Sequence, residues 1–340
     1  MTDGKIDWYR TPLDKETLQR LTARSDWRGF AQVIPQLGFT TATGAAVFYA
    51  YSHWAWYVTV ALLYLHGTGC GFLGMGGPGH ELSHRTVFKS RFWNEFFIRV
   101  YCFISWSNFP FFRVSHTKHH AVTVYHEHDG EVVLPRKVRR IDWLYAFTFS
   151  PLAPWHRLRG TWRQACGRFD SEWERFLFPT PDAKGRRETI AWARITLAGH
   201  LALVALCVLT GHWILIVIVT LNGTYAGWLC FLCGTPQHHG LKPDVPDFRL
   251  SCRTYTLNPI ARFFYWNMNY HVEHHMYAAV PFYNLPKLRR AIAHDLPVAN
   301  RGLLGAWREM YAIQRRQAVE PDYCYEPPLP ATASPSPLAG

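Results

Sequence analysis

Three observations predict an all-α integral membrane protein with four transmembrane helices in two hairpins and a cytoplasmic helical cap. Residues 31–79 contain no Asp, Glu, Lys or Arg, and neither do residues 195–241. Each block approaches fifty residues, and one bilayer crossing takes ~20 apolar residues, so each block holds two crossings. Clusters of histidine at helical spacing lie at the polar ends of both blocks. The expected spans are residues 33–51 and 56–75, then 195–209 and 213–233.

The elements follow in order. Residues 1–30 form a polar N-terminal segment without a signal-peptide pattern, and Thr11-Pro-Leu-Asp14 reads as a capping box opening a helix. Residues 31–325 make one membrane domain. Within it, residues 92–112 are aromatic but carry Glu95 and Arg99, which suits an interfacial segment anchored by Trp93 and Trp106. Residues 144–155 are similar and interrupted by proline. The tail, residues 326–340, is rich in Pro, Ala and Ser and is expected to lack fixed structure.

The net charge is +12, yet the hairpin tips, around Ser52-His53 and Gly211-His212, carry no Lys or Arg. The positive-inside rule therefore places the termini and the histidine clusters on the cytoplasmic face. Topology and anionic lipid headgroups account for the basic balance, and no motif supports nucleic-acid binding. Eight cysteines are scattered along the chain. Cys230-Leu-Phe-Cys233 has redox-like spacing but sits in an apolar segment, so it reads as packing, and the cytoplasmic location favours free thiols.

The chemistry lies in the histidines. His80-Glu-Leu-Ser-His84, His116-Thr-Lys-His119-His120 and His271-Val-Glu-His274-His275 supply eight imidazoles, each cluster within one narrow helical arc. By chance, 18 histidines in 340 residues would give about 0.05 H-x-x-H-H matches, and two are present. Eight imidazoles exceed the needs of one ion, which asks for two metals. The absence of matching cysteines favours iron over zinc or copper(I). His53, His66, His200 and His212 lie in or beside apolar helices and suit interhelical hydrogen bonds or interfacial positions. His126 and His128 follow the second cluster closely enough to support its rings, and His156 and His294 read as surface residues.

These clusters resemble the histidine boxes of the membrane fatty acid desaturase and hydroxylase superfamily. The resemblance covers residues 79–288. It includes Gly79-His-Glu-Leu-Ser-His84-Arg, the second box with its trailing Asp129-Gly-Glu131, and the run from Asn267 through Pro281 to Leu288 around the third. It implies a di-iron centre held by His80, His84, His116, His119, His120, His271, His274 and His275. A further histidine after the fourth helix is expected to be His238, with His239 as the alternative. Asn267 is a weak candidate for a water-mediated contact. Glu81, Asp129 and Glu273 are candidates to orient imidazoles through the ring nitrogen turned away from the metal, a solvated or capping role being the alternative for each.

The chain departs from the family in having Ala278 where a proline often follows the third box, which bears on substrate class. No His-Pro-Gly-Gly haem segment is present, so electrons are expected from a separate ferredoxin or cytochrome b5-like protein docking on the basic cap. With O2 as co-substrate, the expected reaction introduces a double bond into an unactivated C–C of an acyl chain. Hydroxylation or desaturation of a small amino-acid-derived or carotenoid-like metabolite is the alternative, because sub-ångström placement decides the outcome. A membrane metal-binding or transport protein is a remote rival, since transport ligands lie at bilayer depth rather than beside the helices.

Overall fold

Ser25 and Asp14 start the first two helices in the computed structural model, which describes residues 6–125, 127–134 and 137–336. His126 lies outside the described residues. Helix α1 (Lys15–Thr22) is capped by Asp14, whose carboxylate accepts from Thr17 N at 2.7 Å. The expected cap, Thr11, instead packs inward and donates its hydroxyl to Asp295 Oδ2 at 2.5 Å. Helix α2 (Asp26–His53) begins earlier than its apolar stretch, because Ser25 accepts from Arg28 N. Helix α3 (Trp56–Cys70) folds back along α2 after a two-residue link. It stops short of residue 75. At Gly67 a Cβ would stand 2.5 Å from the Tyr225 ring, so only glycine admits this close approach.

The first boxes follow on α4 (Pro78–Ser83), α5 (Arg91–Ile104) and α6 (Phe109–Val122). Phe97, Ile98, Tyr101 and Cys102 give α5 one buried face. Trp106 is not an interfacial anchor. Its ring stacks on His200 at 4.1 Å and its indole donates to Thr220 O at 3.0 Å, inside the bundle. The polar middle segment forms α7 (Arg140–Phe147), α8 (Ala153–Ala165) and α9 (Glu172–Leu177). Helix α10 (Arg186–Leu209) is the one described helix both long and apolar enough to cross a membrane.

The fourth expected span, residues 213–233, is not one helix. It is a π-helical turn (Ile216–Thr220), a bend, and α11 (Trp228–Gly234). Asn222 breaks it by donating its side-chain amide to Val219 O at 2.6 Å and Ile104 O at 3.1 Å, in place of helical pairing. Two of the apolar-block histidines make interhelical hydrogen bonds, as expected from their sequence positions. His66 donates to Ile218 O at 3.1 Å and meets Thr43 Oγ1 at 2.9 Å, and His200 donates to Phe103 O at 2.9 Å. His53 stacks on Tyr49 at 4.1 Å near the hairpin tip, and His212 lies beside Phe48. All eight cysteines are free, with Cys233 fully buried.

The cap is completed by α12 (Phe248–Ser251), α13 (Pro259–Phe264), α14 (His271–Met276), α15 (Leu285–Ala291) and α16 (Gly302–Gln317). Leu82, Phe88, Val272, Leu285 and Leu288 are fully buried in one cluster that joins the boxes. Both chain ends close on this cap at a buried guanidinium. Arg249 pairs with Asp247 Oδ2 at 2.7 Å and Asp295 Oδ1 at 2.6 Å, and lies 3.9 Å over the Tyr9 ring. It also donates to Ser334 O at 3.1 Å, while Ser334 N donates to Asp295 Oδ1 at 2.8 Å. Nearby, the Thr332 hydroxyl donates to His294 O at 2.6 Å.

Candidate metal centre

Each box reaches the centre by a local device. Pro78 opens α4, so His80 lies in its first turns and His84 at its end. Asn108 caps α6 by accepting from Phe111 N at 3.2 Å. Helix α14 is one and a half turns long, and Val272 N donates to Thr254 Oγ1 at 3.2 Å to fix its start. His238 follows the 3₁₀ turn Thr235–Gln237.

Nine imidazoles converge, and they divide. Side-chain nitrogens of His80, His84, His116, His120 and His274 all lie within 4.8 Å of one another, as do those of His119, His238 and His275. His271 joins the second group, with Nε2 2.8 Å from His238 Nε2 and 3.1 Å from His275 Nε2. In the first group His120 Nε2 is 3.0 Å from His116 Nε2 and 3.2 Å from His274 Nε2. The His120 and His275 rings, 4.3 Å apart, join the lobes.

The division corrects the single narrow arc expected of each box. On a helix, residues i and i+4 diverge by about 40°, whereas i+3 and i+4 diverge by about 100°. His116 and His120 therefore enter lobe one, while His119 swings into lobe two. In the third box His271 and His275 enter lobe two, and His274 crosses to lobe one. Each H-x-x-H-H box thus serves both lobes.

Six of the nitrogens facing away have hydrogen-bond partners, whereas His274 Nδ1 is buried without one. His116 Nδ1 donates to Glu131 Oε1 at 2.6 Å, His119 Nδ1 to Asp129 Oδ2 at 2.7 Å, and His80 Nδ1 to Glu81 Oε1 at 3.1 Å. His238 Nδ1 donates to Ser251 O at 2.9 Å. His271 Nδ1 meets the Gln237 amide at 3.1 Å, and His275 Nδ1 meets Thr123 Oγ1 at 3.2 Å. With the proton held on Nδ1 by an oxygen acceptor, the Nε2 lone pairs of His80, His116, His119 and His238 point inward, whereas His271 Nδ1 accepts from Gln237 Nε2.

Burial pushes His80, His84 and His238 down to about 3, with neighbouring imidazoles adding to the effect, and holds His116, His120, His271, His274 and His275 well below the usual range. Burial also acts to lower His119, but the Asp129 carboxylate outweighs it and raises that ring. Burial lifts Glu81 to about 7, partly offset by His84. Eight of the nine rings are thus held neutral, the form that binds a metal, while Asp129 favours the protonated form of His119.

These residues fit a pair of metal ions. His80 Nε2 and His84 Nε2 are buried without a hydrogen-bond partner. The Nε2 atoms of His116 and His120 stand 3.0 Å apart, and those of His238 and His271 2.8 Å apart. Nitrogens bound to one ion at roughly 2.1 Å stand about 3.0–3.4 Å apart.

The remaining candidates separate clearly. His239 turns from the lobes toward Gln314 Nε2 at 2.9 Å, so His238 is the residue that reaches them. Its neighbour Gly240, at φ +70, makes the turn possible and sits where a Cβ would meet Ile313 at 2.5 Å. Asn267 bonds Arg262 and Phe282 O, away from the nest. Glu273 touches no imidazole. It accepts from Thr254 Oγ1 at 2.6 Å and Arg289 Nη1 at 3.0 Å. Glu81 and Asp129 do contact rings. Glu131, Thr123, Gln237 and Ser251 were not among the expected supports. Glu131 shares the acidic pair with Asp129, whereas the Ser251 contribution is a carbonyl and has no sequence signal. No hydrogen bond joins His128 to the nest among the described residues, and His156 and His294 are exposed.

Residues 52–304 match the family model for fatty acid desaturase, which is about three quarters of the chain. Among curated proteins none matches.

Proposed function

The chain belongs to the fatty acid desaturase family, and from that premise we propose that it is an O2-dependent di-iron desaturase that introduces a double bond into an acyl chain. The family makes it an oxidoreductase of the desaturase and hydroxylase type, iron-dependent and membrane-associated. One observation carries the finer reading: nine imidazoles split into lobes of five and four.

His80, His84, His116, His120 and His274 would hold one iron, and His119, His238, His271 and His275 the other. The chemistry this pair supplies when bound is activation of O2 with two electrons and removal of hydrogen from an unactivated C–H bond. The chain's own groups prepare for it. Glu131, Asp129, Glu81 and Ser251 O hold protons on Nδ1 and fix each ring's orientation. Burial excludes water and keeps every ring but His119 neutral. Which carbon reacts depends on how the protein positions the chain.

The membrane reading places α2, α3, α10 and the broken segment ending in α11 as four crossings, with the cap and metal centre on the cytoplasmic side. Large exposed apolar side chains on these elements support it, among them Ile34, Tyr57, Val60, Leu201, Leu206 and Leu209. Uncharged hairpin tips support the orientation. A separate electron carrier completes the system.

Fatty acid analysis of an expressing host by gas chromatography tests the reaction. A new double bond that disappears in His274→Ala supports it. A new hydroxyl group moves the assignment to hydroxylation. An unchanged profile from a protein carrying two irons moves the substrate to a smaller metabolite.

A further inference from the structure

The metal centre is buried, yet the reaction draws two electrons from outside it. An aromatic path leads in from the cap. The Phe248 ring, at the start of α12, is fully buried, and its centroid lies 5.4 Å from that of His275 in lobe two. Trp8 stacks on Phe248, with centroids 4.1 Å apart and planes 6° from parallel. Trp8 is only half-buried, and it lines an open hollow of about 640 Å³ with Asp7, Arg10, Tyr125 and Pro246 among the other walls. A run of rings thus joins the protein surface to lobe two.

The stack is clamped. The indole Nε1 donates to Ala121 O at 2.8 Å. Tyr9 N donates to Pro246 O at 2.8 Å, and a bridge pairs Tyr9 with Asp247, so residues 8–9 run beside residues 246–248. The Tyr9 hydroxyl donates to Asp295 Oδ2 at 2.7 Å, and Arg249 lies over its ring. The buried Asp247–Arg249–Asp295 network therefore fixes both partners, Trp8 through Tyr9 and Phe248 through its two neighbours. Stacking is a preferred aromatic pairing, and parallel overlap couples the two π systems, which an aliphatic contact of equal area does not.

The path reaches both lobes. Ala121 directly follows His120, so the indole hydrogen bond meets α6 beside a lobe-one ring. The His275 and His120 rings stack at 4.3 Å, with planes 25° apart. An electron delivered to His275 therefore has a short onward way to lobe one. In the membrane reading, residues 1–30 lie on the same side as the cap, the side from which a soluble carrier approaches.

We propose that Trp8 is the electron-entry residue: a one-electron carrier protein docks over the hollow, and electrons pass from Trp8 across Phe248 to His275 and the iron of lobe two. The route rests on the di-iron desaturase reading and adds where its electrons enter. Two carrier molecules are each oxidised by one electron, and two ferric ions become ferrous. No covalent bond forms or breaks along the path. The rings of Trp8 and Phe248 bridge the transfer and end it unchanged.

Reduction without O2 or substrate is the test, on the full iron-loaded chain purified in detergent. The probes are a pre-reduced [2Fe–2S] ferredoxin and, in a parallel series, a pre-reduced cytochrome b5. Ferrous iron is read by rapid-freeze Mössbauer spectroscopy. Trp8→Leu should lower the limiting rate at saturating carrier about tenfold or more, with iron content, melting temperature and half-saturating carrier concentration unchanged. Trp8→Phe, which keeps a stacked ring, should recover most of that rate. Phe248→Leu, away from the docking surface, should slow reduction with carrier affinity unchanged, and it carries the test if Trp8→Leu does not fold. Reduced methyl viologen, small enough to approach elsewhere, should reduce wild type and variants equally. Equal carrier-driven rates in wild type and folded Trp8→Leu would overturn the proposal, and slowing by Phe112→Leu instead would move the entry to lobe one, where Phe112 stacks on His116 at 4.6 Å. Wild type that methyl viologen reduces and neither carrier does would also overturn it. Because reduction is read without substrate, an unchanged acyl profile in the host counts against the reaction and not against the route.

Discussion

The two lobes of the histidine nest are built differently. Lobe one draws its five rings from the three boxes alone, and carboxylates stand behind His80 and His116. Lobe two takes three rings from the boxes and needs His238 from a separate turn. Only His119 there has a carboxylate behind it, and the other three rings meet a carbonyl, an amide and a hydroxyl. Lobe one is therefore backed by more carboxyl groups, and lobe two depends more on tertiary structure. Crossing residues tie them together, since His119 and His274 each leave their own box's lobe.

The largest effect should come from those crossing residues. His119→Ala and His274→Ala each remove a ring from the lobe opposite the one their box mainly serves. Both should abolish activity and lower bound iron, read by elemental analysis on purified protein. Full activity in either variant would break the two-lobe assignment. His53→Ala, at the far hairpin tip, should leave iron unchanged.

Next in size is the contrast between adjacent residues. His238→Ala should match the crossing variants in lost iron. His239→Ala should keep its iron and lose the Gln314 contact and packing, seen as a lower melting temperature. Equal iron loss in both would show that lobe two is not organised around His238.

Asp129→Asn sharpens the comparison from behind the rings. Asp129 accepts from His119 Nδ1 at 2.7 Å and also from Val124 N at 2.8 Å and Glu131 N at 2.9 Å. The variant should weaken metal binding by about 10–100-fold, the usual cost of losing a partner behind a ligand. Gln237→Ala, behind His271 in lobe two, should cost less. A chelator titration followed by iron content measures both.

Acidification acts on both lobes. Free imidazole titrates near 6.5, whereas His80, His84 and His238 in the fold lie at about 3. A folded value below the unfolded one means that the unfolded chain takes up the proton first. Their stability contribution is present above ~6.5 and is lost as pH falls toward 3. Metal-free protein should lose melting temperature progressively across that window, and metal should protect it by competing with protons. A flat profile between pH 6.5 and 4 would contradict neutral burial of these rings.

Much of this centre was legible in the sequence, and the exceptions have physical causes. Box spacing exposes eight ligands because helical periodicity acts over a few residues. His238 is adjacent to another histidine, so only the turn at Gly240 decides which ring points inward. The apolar blocks announced α2, α3 and α10. The fourth span broke because Asn222 competes for its own backbone, which average hydropathy does not register. The tail at Ser334 is held by its backbone amide on Asp295, a contact blind to side-chain composition.

The smallest effect separates a ligand support from a structural one within a single box. Glu273 lies between ligands His271 and His274, yet its carboxylate faces Arg289 and Thr254. The Thr254 hydroxyl in turn accepts from Val272 N, so this carboxylate secures the start of α14 and not a ring. Glu273→Gln should therefore leave iron content intact. It should lower stability by about 1–3 kcal/mol, the cost of leaving a buried charged donor with a weaker acceptor, measured by denaturant titration of the metal-loaded protein. Iron loss comparable to Asp129→Asn would place Glu273 behind a ligand after all, and would erase the distinction between the acidic residue inside the box and the pair that follows the second.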